Sequence, residues 1–127
     1  MMRENEQNET ISTLKTIPIN EDVIQKERMR LPQADIGSGK TVSFLDSSGS
    51  MFYVVGGTKV SFSVELDKSV SVEMGYISNN GTKTQTYSGT GSSHNTSFEI
   101  SNTGYYRFYV TNTSSSTIRV TGGTISF

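Results

Sequence analysis

The chain contains no cysteine, no tryptophan and a single histidine. Without cysteine there is no disulfide framework, no thiol nucleophile and no thiolate metal site. With His94 alone, a transition-metal centre would rest almost wholly on carboxylates, and a Ser-His-Asp apparatus has only one place to be built. The missing tryptophan removes the largest aromatic platform on which a sugar ring could stack. Charge of either sign is sparse: 11 Lys plus Arg against 12 Asp plus Glu give a formal net charge of −1. A chain this close to neutral has no global field to gather nucleic acid or an anionic membrane. Long hydrophobic runs are also lacking. Val54-Val55 is typical, whereas a bilayer span needs about 20 apolar residues. The opening Met-Met-Arg-Glu-Asn-Glu has no apolar stretch of signal-peptide length, so the chain reads as soluble, with no membrane insertion.

What is present changes character near residue 36. All 12 glycines lie from Gly37 onward and every aromatic from Phe44 onward, while Pro18 and Pro32 precede them. Residues 1–35 are rich in charge, and Arg3-Glu4-Asn5-Glu6-Gln7-Asn8-Glu9 cannot bury enough surface to offset its ordering entropy. Residues 1–35 are therefore expected to be a partly disordered arm or linker. Within it, Asn20 with Glu21-Asp22 reads as an N-cap and acidic first turn, opening one short helix through Val23, Ile24, Glu27 and Met29 that stops at Pro32.

From residue 36 the hydrophobic pattern has period two, which marks half-buried strands. Val60, Phe62, Val64 and Leu66 alternate with polar residues, as do Val70, Val72, Met74 and Tyr76. Asp67-Lys68 between the two runs is short enough for a hairpin turn. Further strands are expected at about 40–45, 50–55, 83–88, 96–100, 105–111, 117–121 and 124–127. The fold class is all-β, an antiparallel β-sandwich of jelly-roll or Ig-like type with eight to nine short strands over residues 36–127, with a barrel as the alternative. Twenty Ser and sixteen Thr leave few apolar side chains, so the core is lean and single. It draws on Phe44, Phe52, Val54, Phe62, Val64, Val72, Met74, Phe98, Ile100, Tyr106, Phe108, Val110, Ile118, Val120 and Ile125.

Reactive constellations are few. Gly37-Ser38-Gly39-Lys40-Thr41 has the end of a phosphate-binding loop, but its first glycine position is Ala34 and a strand-like run follows where a helix is required. His94 lies in the Gly/Ser-rich stretch from Gly89 to Asn95, which reads as a mobile loop with an exposed imidazole. Asp46, Glu65 and Asp67, with Glu73 nearby, are weak oxygen ligands for a structural Ca²⁺, without a recognisable ligand spacing. In Gly104-Tyr105-Tyr106-Arg107-Phe108-Tyr109-Val110, alternation sends Tyr106, Phe108 and Val110 inward. Tyr105, Arg107 and Tyr109 then face outward as a candidate ligand platform, two tyrosines flanking a guanidinium. Asn8, Asn80, Asn95 and Asn112 open N-glycosylation sequons. No cofactor and no catalytic residue is expected.

The strands Gly57–Leu66 and Val70–Ile77, the Gly104-Tyr105-Tyr106 turn into a strand, and Ile118–Ile125 resemble accessory β-sandwiches of secreted bacterial proteins. The pattern is similar to bacterial pre-peptidase C-terminal domains, and to the extracytoplasmic C-terminal modules of membrane-anchored peptidases of the β-lactam-sensor type. The resemblance covers about residues 40–127. It implies a non-catalytic extracytoplasmic module that binds a protein, a cell-wall polymer or a carbohydrate. The chain departs from the pre-peptidase pattern where Val70-Ser71-Val72-Glu73-Met74 replaces an acidic Asp-x-Asp-Leu strand, so that family's calcium ligands are not carried over. Two other readings stand beside it. One is a structural protein that self-associates through an edge strand, since few Lys or Pro guard its strands. The other is a small immunity or inhibitor protein.

Overall fold

A computed structural model describes residues 28–127. The disordered arm and most of the short helix expected from the sequence lie outside the described residues. Eight strands form one antiparallel sheet that curls on itself into a half-barrel, a β-sandwich-like fold. They are β1 (Arg28–Arg30), β2 (Ala34–Ile36), β3 (Thr41–Phe44), β4 (Phe52–Val54), β5 (Thr58–Ser78), β6 (Lys83–Ile100), β7 (Gly104–Asn112) and β8 (Ile118–Ser126). Where the helix was expected to run up to Pro32, Arg28–Arg30 is instead a strand pairing with Thr124–Ser126. Ala34–Ile36 continues along the same strand, pairing with Ile118–Val120. The end of the charged segment is thus part of the sheet edge, with Leu31 buried between the two short strands.

The organising element is the ribbon of β5 and β6, of 21 and 18 residues. The hairpin expected at Asp67-Lys68 does not form: the strand continues through it without reversing, bending where the ladder to β6 slips register between Glu65 and Val70. The turn lies instead at Asn80-Gly81, where Gly81 takes φ +89° and donates its N–H to Ser78 O. Asn79-Asn80-Gly81 is a three-residue loop closed by a residue at positive φ, which Gly81 supplies and Asp67-Lys68 cannot. Because Leu66 and Val70 are an even number of residues apart, both halves of β5 keep their apolar side chains on one face. The same merging unites the expected strands at 83–88 and 96–100 in β6, and those at 117–121 and 124–127 in β8.

The two halves of the ribbon take different neighbours. The first half of β5 pairs with β8 over Ser61–Leu66, and the second half pairs with β7 over Val72–Ser78. Folding the ribbon at its middle lays these layers face to face. Phe62 from the first layer and Phe108 from the second have ring centroids 5.9 Å apart, and Phe98 sits 6.2 Å from Phe108. All the core residues expected from the alternation lie in this core or against it. Each large side chain so buried contributes roughly 1.5–3 kcal/mol of transfer free energy.

His94 is not an exposed loop residue. It is 1% exposed and sits on the core face of β6 where the ribbon bends. Its Nε2 lies 2.8 Å from Gly91 O and its Nδ1 2.8 Å from Tyr87 Oη. A carbonyl can only accept, so Nε2 carries the proton and Nδ1 accepts from the tyrosine. Glycine-rich composition reads as mobility, but here it provides the bend: Gly91 has φ +152°, and the Tyr87 ring lies where a Cβ on Gly89 would be. Beside this pair, Thr96 Oγ1 donates to Thr86 Oγ1 at 3.0 Å, joining the two halves of β6 across the sandwich. Removing the tyrosine hydroxyl leaves the buried Nδ1 unpaired. Tyr87→Phe is expected to lower stability by about 1–3 kcal/mol, measured by urea unfolding, whereas an unchanged midpoint would show that the pair does not hold the bend.

Candidate functional site

Folding a ribbon in half brings its two ends together, and a surface cleft lies there. It holds about 410 Å³ between the Asn79–Thr82 turn and the Ser101–Thr103 loop. Tyr76, Tyr105 and Tyr106 line it together with Asn79, Asn80 and Asn102, and the remaining lining is Ser, Thr and Gly. Among the described residues, no acidic or basic side chain contributes. The loops are held by the main chain: Asn79 N–H donates to Tyr105 O at 3.0 Å, and Tyr106 Oη donates to Asn102 O at 2.5 Å. Tyr76 stacks on Phe98 with centroids 5.1 Å apart, so the floor of the cleft is braced from the core.

Tyr105 forms one wall and continues outward. It pairs across the sheet with Tyr53, the ring centroids 5.3 Å apart. The two tyrosines are 49% and 56% exposed, and with Leu45 and Val55 they are the exposed large hydrophobic residues of the described chain. Phe52 and Val54 point inward, so alternation turns Tyr53 out. Leu45, directly after the buried Phe44 at the end of β3, is exposed. An aromatic ledge therefore borders a cleft made of amides and hydroxyls.

Of the three residues expected to form the platform, the structure places Tyr105 at this ledge and Arg107 beside it. Arg107 is half-buried and donates from Nε to Ser43 Oγ at 3.3 Å. Tyr109 is not part of an exposed surface. Although it is on the outer face, it is 0% exposed, with Lys83 Nζ 4.6 Å from its ring centroid. Its partner across the ladder is Gly75, which has no side chain to prop the ring away from the sheet. Burial, and secondarily the charge of Glu73, raise the Tyr109 hydroxyl above the ordinary tyrosine pKa. Tyr53, Tyr76, Asn79 and Asn102 were not singled out from the sequence. Tyr53 was legible, since it alternates with Phe52 and Val54, but its meeting with Tyr105 depends on register between distant strands.

The carboxylates named as weak calcium ligands are occupied separately. Asp46 Oδ1 accepts from Ser48 N, Ser48 Oγ and Ser50 N at 2.9, 2.7 and 2.8 Å, closing the β3–β4 turn. Glu65 accepts from Ser93 Oγ at 2.9 Å, and Asp67 from Arg119 N at 2.9 Å, both at the ribbon's bend. Among the described residues, no three His, Cys, Asp or Glu side chains gather as a metal site. The sequon at Asn112 is closed in the folded state: the side chain is fully buried, and Nδ2 donates to Ile36 O and Ser116 O at 2.9 and 2.6 Å.

Fold and site together define an all-β module with a preformed, uncharged cleft at one end. No protein-family model matches the chain, and no curated protein matches it. Among solved structures it is similar to a chain described as "BiXyn10A CBM1 APO", at 10% identity and a TM-score of 0.44, covering 84% of this chain and 99% of that one. A likeness at that level carries no argument about ligand or activity.

The hydrogen bonds from Ser48, Ser50 and Gly49 hold the Asp46 carboxyl below its ordinary pKa of 3.8. A folded-state pKa lowered in this way adds stability that is present above about pH 3.8 and lost as pH falls through the lowered value. Asp46→Asn is therefore expected to lower the thermal midpoint at neutral pH, with the gap to the native protein closing on acidification below that pH. A gap independent of pH would mean that the charge is not what closes the turn.

Proposed function

We propose that this chain is a non-catalytic binding module that holds a neutral, hydroxyl-rich ligand of the carbohydrate class at the end of the sandwich. The observation that carries the reading is the exposed Tyr53–Tyr105 pair at the mouth of a cleft lined by amides and hydroxyls without a charged side chain. Aromatic faces pack on the apolar faces of sugar rings, and Asn, Ser and Thr exchange hydrogen bonds with hydroxyls. A charged peptide or a phosphate would find no counter-charge in the cleft. Among the described residues, no carboxylate or histidine lines the cleft for general acid–base chemistry, and the imidazole of His94 is engaged at both nitrogens in the core. In the extracytoplasmic setting of the modules that the sequence resembles, such a ligand is a cell-envelope or extracellular polysaccharide.

Isothermal titration against a panel of soluble neutral oligosaccharides, with cell-wall pull-down alongside, tests this. Tyr105→Ala and Tyr53→Ala are each expected to weaken binding about tenfold or more, equivalent to about 1.4 kcal/mol, with an unchanged circular dichroism spectrum. Asn102→Ala should weaken it as well. Failure of the whole panel to bind, or a Tyr105→Ala protein that binds like the native one, overturns the reading.

A further inference from the structure

The two sides of the sandwich end in different ways. On one side the edges are β1 and β2, of three residues each and separated by Pro32, together with β3 and β4, of four and three residues. Short, broken edges of this kind resist adding another strand. The other side is closed by β6, 18 residues long, which among the described residues pairs with β5 alone and so forms the edge of both layers. It contains no proline, and its only charged residues, Lys83 and Glu99, lie at its ends. Its interruptions are the bulge near Thr86 and the bend at Gly91.

We propose that β6 is a homodimer interface, at which a second copy of this chain adds its own β6 antiparallel about a two-fold axis and extends both layers. The bend selects the occupant. The 3.0 Å contact between Thr86 and Thr96 shows the two halves of β6 standing opposite each other across the sandwich. A straight strand from an unrelated protein meets one half only, whereas a second copy carries the same folded edge and meets both. Two-fold pairing sets each half against itself. Thr84–Ser88 then faces an identical uncharged run. In the other half, pairing centred on Ser97 puts Glu99 opposite Asn95 rather than opposite a second Glu99, so no like charges meet. The hydroxyl ladders already crossing the sheet, Ser71 with Thr90 at 2.7 Å and Ser61 with Ser97 at 3.4 Å, show the side-chain pairing that would continue into the partner.

Sedimentation velocity of the full chain from micromolar to millimolar concentration is the test, with a limiting mass of twice 13.9 kDa expected. Ser88 and Ser97 are exposed on β6, so Ser97→Lys brings like charges together at the axis and Ser88→Lys inserts a charge into the uncharged run opposite Thr84, neither disturbing the core. Each is expected to raise the dimer dissociation constant about tenfold or more, with the circular dichroism spectrum unchanged. Ser47→Lys, in the exposed β3–β4 turn, is expected to leave the dimer intact. A monomer at every concentration overturns the proposal, as does a dimer indifferent to both β6 substitutions, which must form through another surface.

Discussion

Everything in this molecule follows from one long β-ribbon being bent at its middle. Both layers of the sandwich are halves of the same two strands, so nothing pairs or packs correctly unless β5 and β6 fold over between Glu65 and Val70 on one strand and at Gly91-Ser92 on the other. The bend is a place where main-chain hydrogen bonds are lost, and buried polar groups without partners are costly. His94 replaces part of what is lost. From within the core it reaches back to Gly91 O and takes the Tyr87 hydroxyl on its other nitrogen, a polar clasp inside an apolar layer.

The position of the cleft follows from the same fold. The Asn80-Gly81 hairpin and the Ser101–Gly104 loop lie at opposite ends of the extended ribbon, and bending it makes them neighbours. Tyrosines braced by the core then stand among amides and hydroxyls of two loops that are distant in the chain. At the other margin of the sandwich, Asn112 does the work that His94 does at the bend. It is fully buried, and it ties the β7–β8 loop to the end of β2 through Ile36 O, Ser114 and Ser116. Gly123 permits the close approach of β8 to β5, since a Cβ there would meet Ser63 O at 2.2 Å.

Strand faces were legible from residue type, because period-two alternation is a local property that burial enforces. Val60 to Leu66 and Tyr106 to Val110 needed no partner to declare which side was inward, and every core residue expected on that basis packs there. Partner choice was not legible in the same way. Asp67-Lys68-Ser69 is polar enough for a turn but lacks a residue suited to positive φ, while Asn80-Gly81 has one. The local chemistry did distinguish the true hairpin, but only when turn geometry was weighed above polarity. His94 and Tyr109 are the reverse case. Nothing near them in the chain signals burial, which comes from Tyr87 and the bend in one instance and from Lys83 and Gly75 in the other.

The amino-acid sequence by itself determined the all-β class, the inward and outward faces, the composition of the core, and the scarcity of charge and of reactive side chains. Tertiary structure alone decided where the ribbon bends, which strand neighbours which, and that Tyr53, Tyr105, Asn79 and Asn102 share one end of the molecule. The reason is the range of the forces involved. Alternation and turn propensity act between residues a few positions apart, whereas register between strands distant in the chain, as for Tyr53 and Tyr105, is set by how the whole apolar face is buried at once.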